Sequence, residues 1–153
     1  MTQVDHPQHV IDIVNAYGKG DLALGDGLFD AAGGDQFAFR SGFDALGLVL
    51  GAMPEDHWRQ SETAFCSWVV YLCKFGQAAR AFAHIKDTGL VFEKTVRFTI
   101  VELLVTIHLG DPVRADDIER WTYLERRLPI SDPLASGLYC NGMLVTLVRV
   151  GRL

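Results

Sequence analysis

Positive charge is in short supply: 14 lysines and arginines stand against 19 aspartates and glutamates, for a formal net charge of −5. Such a chain offers no basic face to a phosphate backbone, and the pair Arg126-Arg127 does not make a recognition helix, so direct nucleic-acid binding is not expected. Cysteine is scarce as well. Cys66, Cys73 and Cys140 are odd in number and lack framework spacing, which excludes a disulfide scaffold and predicts free thiols in a reducing cytoplasm. Long apolar runs are missing: residues 65–73 are too few to span a bilayer and 96–109 are interrupted by Glu102, so no membrane segment is expected. The polar opening MTQVDHPQHV has no hydrophobic stretch of the kind a secretory signal needs.

Catalytic motifs are absent too. There is no G-x-x-x-x-G-K-S/T phosphate loop, no G-x-S-x-G elbow and no H-E-x-x-H. His6 and His9 lie three apart beside the N-terminus, where a chance pair is the simpler reading. Cys66 and Cys73 share a helix face, but zinc would need two further ligands. A nucleophilic thiol would want a base and an electropositive setting, to which no spacing points. No catalytic residue, metal or cofactor is therefore expected.

What is present is a folded composition, 49% apolar and 22% charged, over 153 residues, enough for one domain covering 1–153. The stretch 61–87, SETAFCSWVVYLCKFGQAARAFAHIKD, reads as two helices broken once at Phe75-Gly76-Gln77, with small residues opening the second. The break recurs at Leu109-Gly110-Asp111, 34 residues on, and at Val150-Gly151-Arg152, 41 further; Lys19-Gly20-Asp21 stands 56 upstream. A period of this size is the signature of helix-pair repeats.

Aligning on the four glycines brings like residues together. Seven before them come Ile13, Val69, Leu103 and Leu144; three before come Tyr17, Cys73, Ile107 and Val148. Both columns are apolar, and the two offsets share one face of a helix. Fifteen before come Asp5, Ser61, Thr95 and Ser136, all able to cap a helix. Five after the first three come Gly25, Ala81 and Ala115, where a second helix would press close to the first.

This pattern resembles the tetratricopeptide repeat, whose first helix ends at such a glycine and whose second carries a small residue five later. The aromatic and proline positions of that family are largely missing. A nearer likeness is to the helical-repeat region of large ATP-binding LuxR-type transcriptional regulators of the maltose-activator class. Gly20-Asp21-Leu22 through Ala32-Gly33-Gly34, the turn at Leu50-Gly51-Ala52-Met53-Pro54-Glu55 and the pair at 61–87 carry it. The resemblance implies an all-α fold of antiparallel helix hairpins stacked as a short right-handed α-solenoid. It also implies a non-enzymatic protein-interaction or sensor module of a transcriptional regulator, with the ATPase module outside this chain.

The remaining elements follow from caps and stops. Asp5 with Pro7 in its first turn opens a helix to about Tyr17, and Asp21 to Ala32 makes the second, ended by Gly33-Gly34. Phe37 to Leu50 reads as a third helix without a clear partner, and Glu55 to Gln60 as a turn docking Trp58. Glu93 to Leu109 is dense in valine and isoleucine, so a strand competes with helix for part of it. Length and the preceding repeat favour helix. Arg114 to Arg127 is amphipathic with Ile118, Trp121 and Leu124 inward, and Pro129 stops it. Asp132-Pro133 opens the last helix, which runs to Val150.

Two groups of residues would suit binding. If first helices line a concave groove, the position two before each glycine faces it: Gly18, Lys74, His108 and Arg149, joined by Arg97 and Asn141 from neighbouring turns. That row of cations and hydrogen-bonding groups would hold an acidic peptide, a protein partner or a carboxylate ligand. Cations at helix C-termini also complement the helix dipole with no ligand at all. Thr95, Thr99, Glu102 and Thr106 form a polar stripe on an apolar helix. Glu102 occupies a column that holds Trp68 one unit earlier. A buried carboxylate there needs partners, so Thr99, Glu102 and Thr106 read either as a pocket wall for a small-molecule effector or as the solvated face of the helix. Trp58, Trp68 and Trp121 read as core. Finally, Leu138, Met143, Leu144, Val145, Leu147 and Val148 leave the last helix little polar surface. The expectation is a fragment of a longer solenoid, or a homodimer through this C-terminal end.

Overall fold

The computed structural model describes residues 6–88, 95–110, 113–127 and 130–152, and all regular structure among them is helical. The α-helices there are α1 (Gln8–Gly18), α2 (Leu22–Ala31), α3 (Phe37–Ser41), α4 (Phe43–Ala52) and α5 (Glu55–Trp58). They continue with α6 (Glu62–Lys74), α7 (Ala78–Thr88), α8 (Val96–Leu109), α9 (Ala115–Thr122) and α10 (Pro133–Arg149). Short 3-10 turns lie at Gly34–Gln36 and Tyr123–Arg127. Among the described residues no helix is long and apolar enough to cross a membrane.

Side-chain caps start the helices where the sequence places them. Asp21 accepts from Leu24 N (3.1 Å), Thr95 from Phe98 N (3.0 Å) and Asp132 from Ala135 N (2.8 Å). Each satisfies an N–H that has no partner within the helix. The valine-rich segment is thus helix from Val96 onward. Its expected start at Glu93 lies outside the described residues, as do Asp5, Gly89, Asp111 and Pro129.

The four aligned glycines share one conformation, with φ of 77° at Gly20, 72° at Gly76, 70° at Gly110 and 68° at Gly151. That left-handed region is open to glycine and costly to other L-residues. Three of the turns close the same long hydrogen bond. Asp21 N donates to Ala16 O (3.0 Å), Gln77 N to Leu72 O (2.8 Å) and Arg152 N to Leu147 O (2.9 Å). Each is a Schellman ending, in which the residue after the glycine reaches back to a carbonyl in the last turn.

Several boundaries differ from expectation. Pro7 sits at the N-cap of α1 instead of inside its first turn. The helix expected over Phe37–Leu50 is two, because Gly42 at φ 92° breaks the chain between α3 and α4. The segment also has a partner, since α4 packs against α1. Arg114–Arg127 is α-helical only as far as Thr122 and tightens to a 3-10 turn beyond. Ser136 lies inside α10, one turn past the true cap.

The chain gathers into two compact units, Met1–Tyr71 and Leu72–Leu153. In the first, α1 packs against α2 and α4. Gly25 makes the close approach between α1 and α2, for a β-carbon there would stand 2.5 Å from the Tyr17 ring. Val10, Ile13 and Tyr17 bury one stripe of α1, while Asp12 and Asn15 face water. Phe29 and Phe37 meet at 5.3 Å, and Trp58 stacks between Phe65 (6.1 Å) and Trp68 (5.7 Å), so the single turn of α5 does dock its tryptophan.

In the second unit α8 packs against α7 and α10 around Ile100, Leu103, Trp121, Leu124, Tyr139 and Met143. Gly142 lies against Leu103, and Arg149 reaches Ile107, so α8 and α10 run in the same direction. Tyr139 fastens α10 to α9 by donating its hydroxyl to Trp121 O at 3.1 Å.

Candidate interaction surface

The two apolar columns of the repeat behave differently on the last helix. Seven before the glycine, Ile13, Val69 and Leu103 are at most 1% exposed, whereas Leu144 is 53% exposed. Three before it, Tyr17 and Cys73 are 2% and 3% exposed, whereas Val148 is 59% exposed. On α10 the buried side is taken by Tyr139, Gly142, Met143 and Thr146, which face the core of the second unit. The opposite side carries Gly137, Cys140, Leu144 and Val148, spaced so that they form a single exposed stripe. Asn141 lies beside it, and Arg149 and Arg152 stand exposed at its C-terminal end. Between Pro133 and Arg149 the helix has no carboxylate.

The small residue expected five after each glycine meets its role unevenly. Gly25 is pressed onto Tyr17 and Ala81 is fully buried, but Ala115 is exposed because it is the first residue of α9.

The proposed groove cations use much of their capacity on backbone carbonyls. His108 Nδ1 lies 2.8 Å from Leu104 O, and Arg149 donates to Ile107 O at 3.0 Å. Ile107 O is one of the last four carbonyls of α8, which lack a partner within the helix, so Arg149 complements that C-terminus, whereas His108 bonds back to a carbonyl one turn earlier in its own helix. The Arg149 contact brings it beside His108. Arg97 lies at the start of α8 and Asn141 two turns before Arg149, so neither joins that end. Lys74 is exposed in the last turn of α6, and Gly18 is exposed at the end of α1.

Glu102 is provided for within the chain. Its Oε1 accepts from Arg120 at 2.9 Å and its Oε2 from Trp121 Nε1 at 3.0 Å, with the carboxylate side chain 15% exposed. Arg120 also pairs with Asp117 at 3.0 Å. The carboxylate therefore fastens α9 to α8 through charge-assisted bonds. Thr99 and Thr106 turn their hydroxyls to the carbonyls of Thr95 (2.9 Å) and Glu102 (3.0 Å) in the preceding turn, and Thr99 also lies 3.4 Å from the Tyr123 hydroxyl. The polar stripe thus serves the helix itself and α9.

A third polar cluster joins residues that no sequence motif links. Tyr17 donates its hydroxyl to Asp26 Oδ1 at 2.8 Å, and His57 Nε2 meets the same oxygen at 2.8 Å. Burial, then the bond to Asp26 and the charges of Asp26 and Asp30, push the Tyr17 phenol far above its ordinary range. It stays a donor at any physiological pH, so the cluster clamps α5 onto the first hairpin. Its members come from three helices at unrelated spacings.

Thiol chemistry divides by place. Cys66 and Cys73 are buried and Cys140 is exposed on the α10 stripe. Burial pushes the Cys73 thiol up to about 12. It is inert at neutral pH. Among the described residues no group of three or more histidine, cysteine or acidic side chains is placed to hold a metal ion. Compared with known proteins, the chain matches no family model, no curated protein and no solved structure.

Proposed function

We propose that the chain is a non-enzymatic protein-interaction module built of tetratricopeptide-like helical hairpins, of the kind that forms the repeat region of a transcriptional regulator, and that it engages its partner through the exposed stripe of α10. Three things support the hairpin reading: the shared glycine conformation, the recurring Schellman endings and the parallel run of α8 and α10 with α9 between. In helix-pair stacks, first helices of successive units lie side by side in the same direction. The observation that carries the interaction reading is the exposure of Leu144 and Val148, in columns whose other members are buried or, at Ile107, partly buried. Covering the exposed half of two such side chains would contribute roughly 1.5–3 kcal/mol before the costs of association. The Glu102 cluster supports no competing pocket, since both carboxylate oxygens are engaged by α9.

Photo-crosslinking in cells tests this reading. A photoreactive amino acid placed at 144 should give discrete protein adducts that are absent when it is placed at 116, an exposed position on α9. No adduct from 144, or the same smear from both sites, would count against it.

A further inference from the structure

Resting on that reading, we infer that the partner presents an acidic amphipathic helix, with a small residue where it crosses Val148. The first hairpin shows what fits such a stripe. There Tyr17, three before its glycine, is covered by α2, which lays Gly25 against the ring, is capped by Asp21 and carries Asp26 and Asp30. Val148 holds the corresponding place on α10 and is open. The stripe it belongs to is flat, with Gly137 and Cys140 exposed along it and nothing within 4 Å of a β-carbon built at Gly137. A second helix can therefore approach closely. Charge selects which helix. Arg149 and Arg152 flank the stripe, and α10 has no carboxylate of its own, although the chain as a whole carries −5. Acidic side chains beside the apolar stripe of an incoming helix would meet these cations, while basic ones would be repelled.

The probe is a fluorescein-labelled, lactam-stapled helix with an alanine-leucine stripe flanked by glutamates, compared with a twin in which lysines replace the glutamates. Anisotropy titration of the full chain should show the acidic helix binding at least roughly tenfold more tightly than its twin. Leu144→Gln with Val148→Gln, both at exposed positions, should weaken it by about tenfold or more with circular dichroism unchanged, and Arg152→Glu should weaken it several-fold. Bound helix should also slow alkylation of Cys140 by iodoacetamide, a readout that needs no variant. Equal binding of the twins, affinity unchanged in the double variant, or undiminished Cys140 alkylation would overturn the inference. So would light scattering that shows a wild-type dimer and a monomeric double variant, since a second copy would then be the occupant. Crosslinks from 144 without acidic-helix binding would leave the interaction module standing and remove only the partner's chemistry.

Discussion

Two glycine-to-alanine changes in α10 should move stability in opposite directions. Alanine is favoured over glycine in a helix interior by roughly 1 kcal/mol. A β-carbon at Gly137 meets nothing within 4 Å, so Gly137→Ala should keep most of that gain, about 0.5–1 kcal/mol. A β-carbon at Gly142 would stand 2.6 Å from Leu103 Cδ2 and 2.9 Å from its Cγ. The Cγ lies near the root of the side chain, and Leu103 is wedged among Trp121, Leu124, Tyr139 and Met143. It cannot swing aside without disturbing them. Overpacking of this kind costs about 1–3 kcal/mol, which outweighs the helical gain, so Gly142→Ala should lose up to about 2 kcal/mol. Urea unfolding followed by circular dichroism reads the difference as opposite shifts in midpoint at constant slope. Equal stabilisation by both changes would refute the close contact of α8 with α10.

Other perturbations follow from the polar groups. Glu102→Ala strands the Trp121 indole N–H and leaves Arg120 with Asp117 alone, and should cost about 1–3 kcal/mol. Glu102→Gln keeps an acceptor for Trp121 and should cost about half as much in the same urea-unfolding assay. The Thr146 hydroxyl is buried with no hydrogen-bond partner among the described residues, so Thr146→Val should stabilise by about 1 kcal/mol. Because burial raises the Cys73 thiol to about 12, the folded chain holds that proton more tightly than the unfolded one. Its contribution is complete below the ordinary thiol range and fades as pH climbs through about 12. Urea midpoints at about pH 8 and about pH 10.5 should therefore diverge less in Cys73→Ala than in the parent.

Much of the helical plan was legible because it depends on local chemistry. Asp21, Thr95 and Asp132 cap where their side chains predict, and the aligned glycines take the backbone shape that only glycine adopts cheaply. Gly42 escaped notice because it lies among Gly47 and Gly51 in an apolar run, and only its φ of 92° singles it out. The tightening of Tyr123–Arg127 into a 3-10 turn likewise leaves no mark in the periodicity. At the sites, the need of Glu102 for partners was readable from its apolar surroundings, but Arg120 and Trp121 are supplied by a different helix. His108 and Arg149 were legible as cations near helix ends, and the alternative in which they serve carbonyls is the one their bonds display. The clamp of Tyr17, Asp26 and His57 spans separations of 9 and 31 residues, beyond the reach of any spacing rule.

The most direct test compares the same repeat position on two helices. Cys73 and Val148 both stand three before a glycine, at 3% and 59% exposure. In a chain carrying Cys140→Ser and Val148→Cys, the introduced thiol should react with Ellman's reagent at once, while Cys66 and Cys73 wait for unfolding. No prompt reaction would contradict an open face on α10, and prompt reaction of all the thiols would contradict the contrast between that face and the buried repeat position at Cys73.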